Sequence, residues 1–350
     1  LLALAGTPAE VPAGAETGMA RIFSQRLSVI TGGPGTGKTF TAGRLLRLLA
    51  AEARGGVLSV VLTAPTGRAS ARLFESVSLA LEGVPGVTLA HGTVHRILGS
   101  GPDPTVFRRN AAHPIPADVV VLDEASMMDL PLMARLVDAV DPAATRLIVL
   151  GDPDQLPSIH SGSILADVVA AAETSAHSPL SKCLLHLTRN HRSGGEPELA
   201  ALIDAARCGN ADAALDLLTG GSALSMERPP LPSAIGDFVR EELHSFMEQL
   251  GSSESPAAAL KAATAHRLVC MLRQGPCGAD AVNELAVSVA ADRAHAGASA
   301  RYFHGLPVIV TRNDPLQELC NGDTGVILRR SGRLSAIFDG PDGPRAVPLS

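Results

Sequence analysis

LSVITGGPGTGKT, Leu27–Thr39, opens with a short apolar run and closes on a glycine-rich loop that ends Gly-Lys-Thr. The last eight residues satisfy G-x-x-x-x-G-K-[ST], and they stand where that pattern has a physical meaning, after a strand and before a helix. Glycines let successive backbone N–H groups curl around phosphate oxygens, and a helix N-terminus adds a favourable dipole. Gly33, Pro34, Gly35, Thr36 and Gly37 would form the cradle. Lys38 would reach the β- and γ-phosphates, and the Thr39 hydroxyl would hold Mg²⁺. The plain alternative is a glycine-rich turn with no ligand.

Working outward, apolar runs alternate with amphipathic stretches. Leu27–Thr31, Val57–Thr63, Val119–Leu122, Leu147–Leu150 and Leu184–Leu187 read as strands, with Ala42–Ala53 and Leu130–Val140 as helices between them. Strands joined by helical crossovers predict a parallel α/β sheet covered on both faces. Residues 1–20 read as a frayed lead-in, and 194–220 as helical after the Gly194-Gly195 break. Little pattern is visible over 222–262. Strand signals return at Arg267–Leu272 and Pro307–Thr311, and Gly325–Leu349 reads as short strands punctuated by turn dipeptides.

Two strand ends carry the next chemistry. VVVLDEAS, Val119–Ser126, runs from an apolar strand into Asp123 and Glu124 at the edge where parallel sheets bind ligands. Asp123 suits Mg²⁺ and Glu124 suits the attacking water; an Asp and a Ser starting a helix is the structural alternative. LIVLGDPDQLP, Leu147–Pro157, then presents Gln155 at the same edge, placed to hydrogen-bond a γ-phosphate or water. A type I turn with Pro153 at its second position explains the same residues without a ligand. Kinases and small GTPases stop at the first two features, so a third strand end of this kind points to a motor.

The composition agrees with a large folded chain and narrows the class. The 350 residues are 46% hydrophobic and 18% charged, enough for two domains with cores of their own. No apolar run is long enough for a membrane span, and the N-terminus lacks the pattern of a signal peptide. Cys183, Cys208, Cys270, Cys277 and Cys320 are scattered with no C-x-x-C pair, which argues against zinc and disulfides and fits a reducing cytoplasm. A net charge of −6 gives no bulk support for nucleic-acid binding, although a motor can confine positive charge to one groove. With no Trp and one Tyr, extensive base stacking is not expected.

The order of these motifs resembles the superfamily-1 helicases. APTGRAS (Ala64–Ser70) is similar to motif Ia, HGTVHRIL (His91–Leu98) to the T-x-H element, DEAS to motif II, GDPDQLP to motif III and LTRNHRS (Leu187–Ser193) to motif IV. RLVCMLRQGPCGADAVNEL (267–285) and LPVIVTRNDPLQELCNGDTGVIL (306–328) resemble the second motor domain of the RecD family, the alpha subunit of exodeoxyribonuclease V. The resemblance, over about 21–350, implies two RecA-like domains: a first over 1–193, a partial second over 194–324, and the start of an SH3-like β insertion over 325–350. It implies that Arg192 reaches the γ-phosphate, that His191 packs by the adenine where the family usually has Tyr, and that Thr66, Gly67, Arg68, Thr93 and His95 contact DNA. Asn321, with Asn313, Gly322 and Asp323, belongs to the second-domain motif, which implies a direct nucleic-acid or nucleotide role, DNA contact in the case of Asn321. Ordinary alternatives stand beside these: a surface Arg, a structural His, and an N-G-D turn.

Two departures stand out. The adenine-reading glutamine expected before the phosphate loop is not evident, Gln25 being too close to the strand. A V-T-V-H-K-S-Q-G-like final motif does not appear before Ser350, and the chain starts at Leu1; the expectation is a piece incomplete for unwinding. The implied activity is ATP- and Mg²⁺-dependent 5′-to-3′ translocation on single-stranded and duplex DNA, beside RecB-like and RecC-like subunits in double-strand-break repair. A stand-alone DNA or RNA helicase and an ATP-binding, non-translocating interaction subunit are the rivals.

Overall fold

β1 (Leu27–Gly32), β2 (Leu58–Ala64), β3 (Val87–Thr93), β4 (Val119–Leu122), β5 (Arg146–Gly151) and β6 (Leu184–Leu187) form one sheet in the order β3-β2-β4-β5-β1-β6. Every pairing in it is parallel. The computed structural model describes residues 15–53, 56–100, 106–156, 163–174, 179–189, 197–220, 224, 235–251, 253, 255–265, 268–295 and 301–349, the last without 313, 315, 318, 320, 331, 341 and 342. The chain divides into two compact units, Leu1–Met226 and Glu227–Ser350.

In the first unit the strands are apolar on both faces because both faces are covered. Ile30, Val60, Leu62, Val119, Val121, Ile148 and Leu150 pack to one side, with α1 (Ala15–Phe23), α2 (Lys38–Glu52) and α3 (Gly67–Ala80). Their alternates Val29, Val61, Val120, Leu122, Leu147 and Val149 pack to the other, with α4 (Val94–Leu98), α5 (Leu130–Asp138) and α6 (Ile164–Thr174). The two-residue repeat of the strands thus builds two cores from one sheet. Local chemistry starts the helices: Thr66 caps α3 by accepting from Ala69 N, and Asp129 caps α5 by accepting from Leu132 N at 2.8 Å. α7 (Pro197–Arg207) and α8 (Ala211–Gly220) complete this unit.

The second unit contains α9 (Ile235–Gly251), α10 (Pro256–Ala265) and α11 (Ala279–Arg293) with an antiparallel sheet. That sheet runs β10-β9-β8-β7, with β7 (Pro307–Ile309), β8 (Thr324–Arg330), β9 (Arg333–Phe338) and β10 (Arg345–Pro348). Val239, Leu243, Phe246 and Leu250 recur at helical spacing on α9 and join Val326, Leu328 and Ile337 in the core.

Several expectations are corrected. The lead-in is helical from Ala15, and 222–262 contains α9 and most of α10. β3 is not predicted by the sequence pattern: its VTLAHGT has His91 and Gly92 within it, and as an edge strand it is half exposed. Arg267–Leu272 is not a strand over its described part, 268–272; Val269 and Met271 are 91% and 98% exposed, and no described strand pairs with them. A ladder needs a neighbour for its N–H and C=O groups, whatever the side-chain pattern. The described strands of the second unit are all antiparallel, so a second parallel sheet is not among the described residues.

Candidate functional site

Because β4, β5 and β1 are neighbours, the sheet order brings three loops far apart in sequence to one edge. The phosphate loop leaves β1, Asp123 and Glu124 leave β4, and the Asp152–Gln155 turn leaves β5. Register keeps the strand ends level: Thr31 lies opposite Gly151, and Leu122 opposite Val149. This is the carboxyl edge at which parallel α/β sheets bind ligands.

Gly37 enters α2 with φ 86°, a left-handed conformation that a side chain would strain, and no side chain caps the helix. The 15-residue helix therefore offers its first N–H groups to an anion. Thr36 is buried and its hydroxyl donates to Gly33 O at 2.9 Å, folding the loop on itself. Lys38 Nζ donates to the carbonyls of Gly32 and Gly33, at 2.6 and 3.1 Å. The ammonium is thus held within the loop, beside the place a phosphate would take. Thr39 follows in the first turn of α2 and is half-buried.

Asp123 is half-buried at the end of β4, its N–H donating to Thr63 O at 2.9 Å. Burial pushes its carboxyl up to about 6; the Glu124 N–H, which donates to Asp123 Oδ1 at 2.8 Å, pulls it back, the Glu124 charge raises it and the Lys38 ammonium lowers it. The last of these couples the phosphate loop to β4. A carboxylate and a hydroxyl are oxygen donors of the kind a hard divalent cation takes, so Thr39 and Asp123 are the residues that could hold Mg²⁺. Glu124 adopts φ 53° and starts the 3-10 turn Ala125–Met127, so the structure bends sharply where the paired carboxylates stand. Such a left-handed non-glycine residue marks strain that functional sites retain.

After β5 the expected turn is present: Gln155 N donates to Asp152 O at 3.3 Å and Asp154 N to Asp152 Oδ1 at 3.1 Å. The turn and the ligand reading are therefore compatible. Asp152 is buried, Gln155 exposed, and Ser126 Oγ donates to Gln155 Oε1 at 3.4 Å. On the far side of β1, Thr31 Oγ1 and His186 Nδ1 are 2.9 Å apart, tying the phosphate-loop strand to the one that leads into LTRNHRS.

The edge continues past β4 to β2 and β3. Thr66 and Thr93 are both helix caps, Thr66 of α3 and Thr93 of α4, where its oxygen accepts from Arg96 N at 3.3 Å. Ala64 and Thr93 are register partners, so the two caps leave adjacent strands at one level. Gly67 and Arg68 open α3, and His95 is exposed on α4 with its ring tilted against Phe107. The structure thus groups Thr66, Gly67, Arg68, Thr93 and His95, and sets them in line with the nucleotide edge. His191, Arg192 and Asn313 lie outside the described residues. Asn321 is in the second unit, exposed beside Gly322 (φ 94°), whose N–H donates to Val310 O; the turn chemistry read there is present. Sequence reasoning passed over Ser126 as anything but a cap, and over Arg207, which pairs with Asp154.

The parallel order, the uncapped helix after a glycine loop and the carboxylate pair define a nucleotide-binding P-loop domain with a RecA-like core. Residues 16–161 match the family model described as "AAA domain". The chain is 39% identical over 337 residues to the "RecBCD enzyme subunit RecD" of Mycolicibacterium smegmatis, covering 93% of this chain and 57% of that protein. It is 37% identical to the protein of the same name from Mycobacterium tuberculosis, with coverages of 93% and 57%. It is 33% identical to the "ATP-dependent RecD2 DNA helicase" of Deinococcus radiodurans, covering 91% of this chain and 39% of that one. Over more than nine tenths of its length the chain is thus similar to proteins named RecD and RecD2. It spans less than two thirds of the length of these relatives.

Proposed function

We propose that this chain supplies the ATP-driven motor of a 5′-to-3′ DNA helicase, working with RecB-like and RecC-like subunits in an exodeoxyribonuclease V complex of the cytoplasm. One observation carries the reading: the phosphate loop, Asp123–Glu124 and Gln155 stand on adjacent strands, and the Thr66 and Thr93 caps continue the same edge. Gly33, Pro34, Gly35, Thr36 and Gly37 with the N-terminus of α2 would bind the phosphates of ATP, and Lys38 would exchange the Gly32 and Gly33 carbonyls for phosphate oxygens. Thr39 and Asp123 would hold Mg²⁺, which offsets charge on the phosphates when bound. Glu124 would polarise the attacking water and Gln155 would sense the terminal phosphate. Arg192, which lies outside the described residues, would stabilise charge in the transition state.

Single-stranded DNA would lie along Thr66, Gly67, Arg68, Thr93 and His95, whose hydroxyls, close backbone and cation suit sequence-independent phosphate contacts. Residues 227–350, with Asn321, would contribute to a second motor domain and its β insertion. Among the described residues no helix is long and apolar enough to cross a membrane. The test is ATP turnover by the full-length protein with and without single-stranded DNA. Stimulation by DNA is the expected result, and turnover indifferent to DNA would defeat the motor reading.

A second reading is a stand-alone DNA or RNA helicase that acts without large partner subunits; the Deinococcus radiodurans relative is named as a DNA helicase and not as a subunit of a complex. Copurification of the native protein separates the two, since only the first predicts stoichiometric large subunits.

A further inference from the structure

The turns that end β4 and β5 meet main chain to main chain. A Cβ on Gly151 would stand 3.3 Å from Ala125 N, 3.4 Å from Ala125 Cβ and 2.5 Å from Leu165 Cδ2, so the two loops pack closely because no side chain separates them. Ser126 sits at this junction, only 8% exposed, and directs its hydroxyl out to the exposed Gln155 side chain at 3.4 Å. A serine that merely capped a helix would bond the backbone ahead of it; this one bonds a side chain 29 residues away. Either orientation of the amide keeps the pair, because a hydroxyl both donates and accepts.

We propose that Ser126 is a positioning residue that parks Gln155 beside the Asp123–Glu124 carboxylates and releases it to the nucleotide; this rests on the motor reading above. The length of the bond matters. At 3.4 Å it lies at the long limit for a hydroxyl donor, whereas bonds to charged oxygens are shorter and stronger. A terminal phosphate accepting from the amide nitrogen of Gln155 therefore makes a stronger bond than the hydroxyl makes to the amide oxygen and draws the side chain away, and loss of that phosphate returns it to Ser126. The 3-10 turn that carries Ser126 begins at Glu124 itself, so the parking point and the water-polarising carboxylate move as one piece.

The experiment measures ATP turnover of the full-length protein, with and without single-stranded DNA, for wild type, Ser126→Ala, Ser126→Thr and Ser126→Ala in a Gln155→Ala background. Ser126→Ala should lower DNA-stimulated kcat roughly fivefold or more, leaving KM for ATP and DNA-free turnover within about twofold. Ser126→Thr, which keeps the hydroxyl, should recover most of the loss. In the Gln155→Ala background Ser126→Ala should add nothing, because its partner is gone. Stimulated turnover of Ser126→Ala equal to wild type, or losses that multiply in the double variant, would overturn the proposal. If Ser126→Ala does not fold, Ser126→Cys takes its place in the same cycle and is judged by the same two outcomes. A wild type indifferent to DNA would instead defeat the motor reading, which the wild-type measurement reveals on its own.

Discussion

Arg207, the last residue of α7, stands with Nη1 3.8 Å from Oδ2 of Asp154 in the turn after β5, while its Nη2 is 3.3 Å from Asp204. The loop that carries Gln155 is therefore held on one side by Ser126 and on the other by a helix that follows LTRNHRS in sequence. Both ends of the ion pair are about half exposed, 47% and 50%, so its share of stability is at most about 1 kcal/mol. Asp154→Arg should lower the thermal midpoint by no more than a few degrees at low salt, and adding Arg207→Asp should restore part of it, because that change also removes the pair with Asp204. Screening should erase the difference near 1 M salt. Thermal melts of wild type and the two variants at two salt concentrations check this.

Lys38→Ala should reduce ATP hydrolysis by at least about 100-fold, as expected for removal of a cation placed against transferring phosphates. Circular dichroism should change little, because the observed bonds of Nζ run to carbonyls of the phosphate loop and not into either core. Steady-state turnover with saturating DNA is the measurement.

Asp123 gives two opposed pH dependences. Its folded-state carboxyl titrates near 6 against an ordinary 3.8, so the native state binds the proton more tightly than the unfolded chain. Its contribution to stability is therefore greatest at low pH and is lost as pH rises from about 4 through about 6. Asp123→Asn should melt a few degrees above wild type at pH 8 and level with it at pH 4. Turnover runs the other way. A metal-holding carboxylate must be ionised, so activity should fall as pH drops below about 6, and raised Mg²⁺ should move that fall to lower pH. A pH–rate profile at two Mg²⁺ concentrations, beside the paired melts, reads both.

Thr66 combines a cap with a proposed DNA contact, and substitution separates them. Thr66→Ala should cost about 1 kcal/mol, because Ala69 N loses its acceptor, and should also weaken single-stranded DNA binding. Thr66→Ser keeps the oxygen and should preserve both. Urea unfolding and fluorescence anisotropy with a labelled oligonucleotide check the two properties on the same samples.

Much of the nucleotide site is legible in the sequence because its chemistry is local. A glycine loop between a strand and a helix, and carboxylates at a strand end, need only neighbouring residues to be recognised, and Leu27–Thr39 and Val119–Ser126 supply them. β3 was less legible: an edge strand half open to solvent carries His91 and Gly92 and loses the apolar signature of the central strands. Arg267–Leu272 failed in the opposite sense, with the composition of a strand and no described ladder beside it. The motifs that hold Thr66 and Thr93 point to DNA; that each residue also caps a helix follows from backbone geometry, which composition does not encode.

By itself the sequence determined that a glycine-rich loop of phosphate-binding pattern stands at Gly32–Thr39 and that apolar strands end in Asp123 and in Asp152–Gln155, since side-chain type and spacing suffice for that. The tertiary structure alone decided that β4 and β5 lie between β2 and β1, an order that crossovers of the chain permit in several ways. That order makes neighbours of Ser126 and Gln155, sets the Thr66 and Thr93 caps in line with the phosphate loop, and brings Arg207 to Asp154. Each is a contact across sequence distance, settled by which strands share a ladder and which faces share a core.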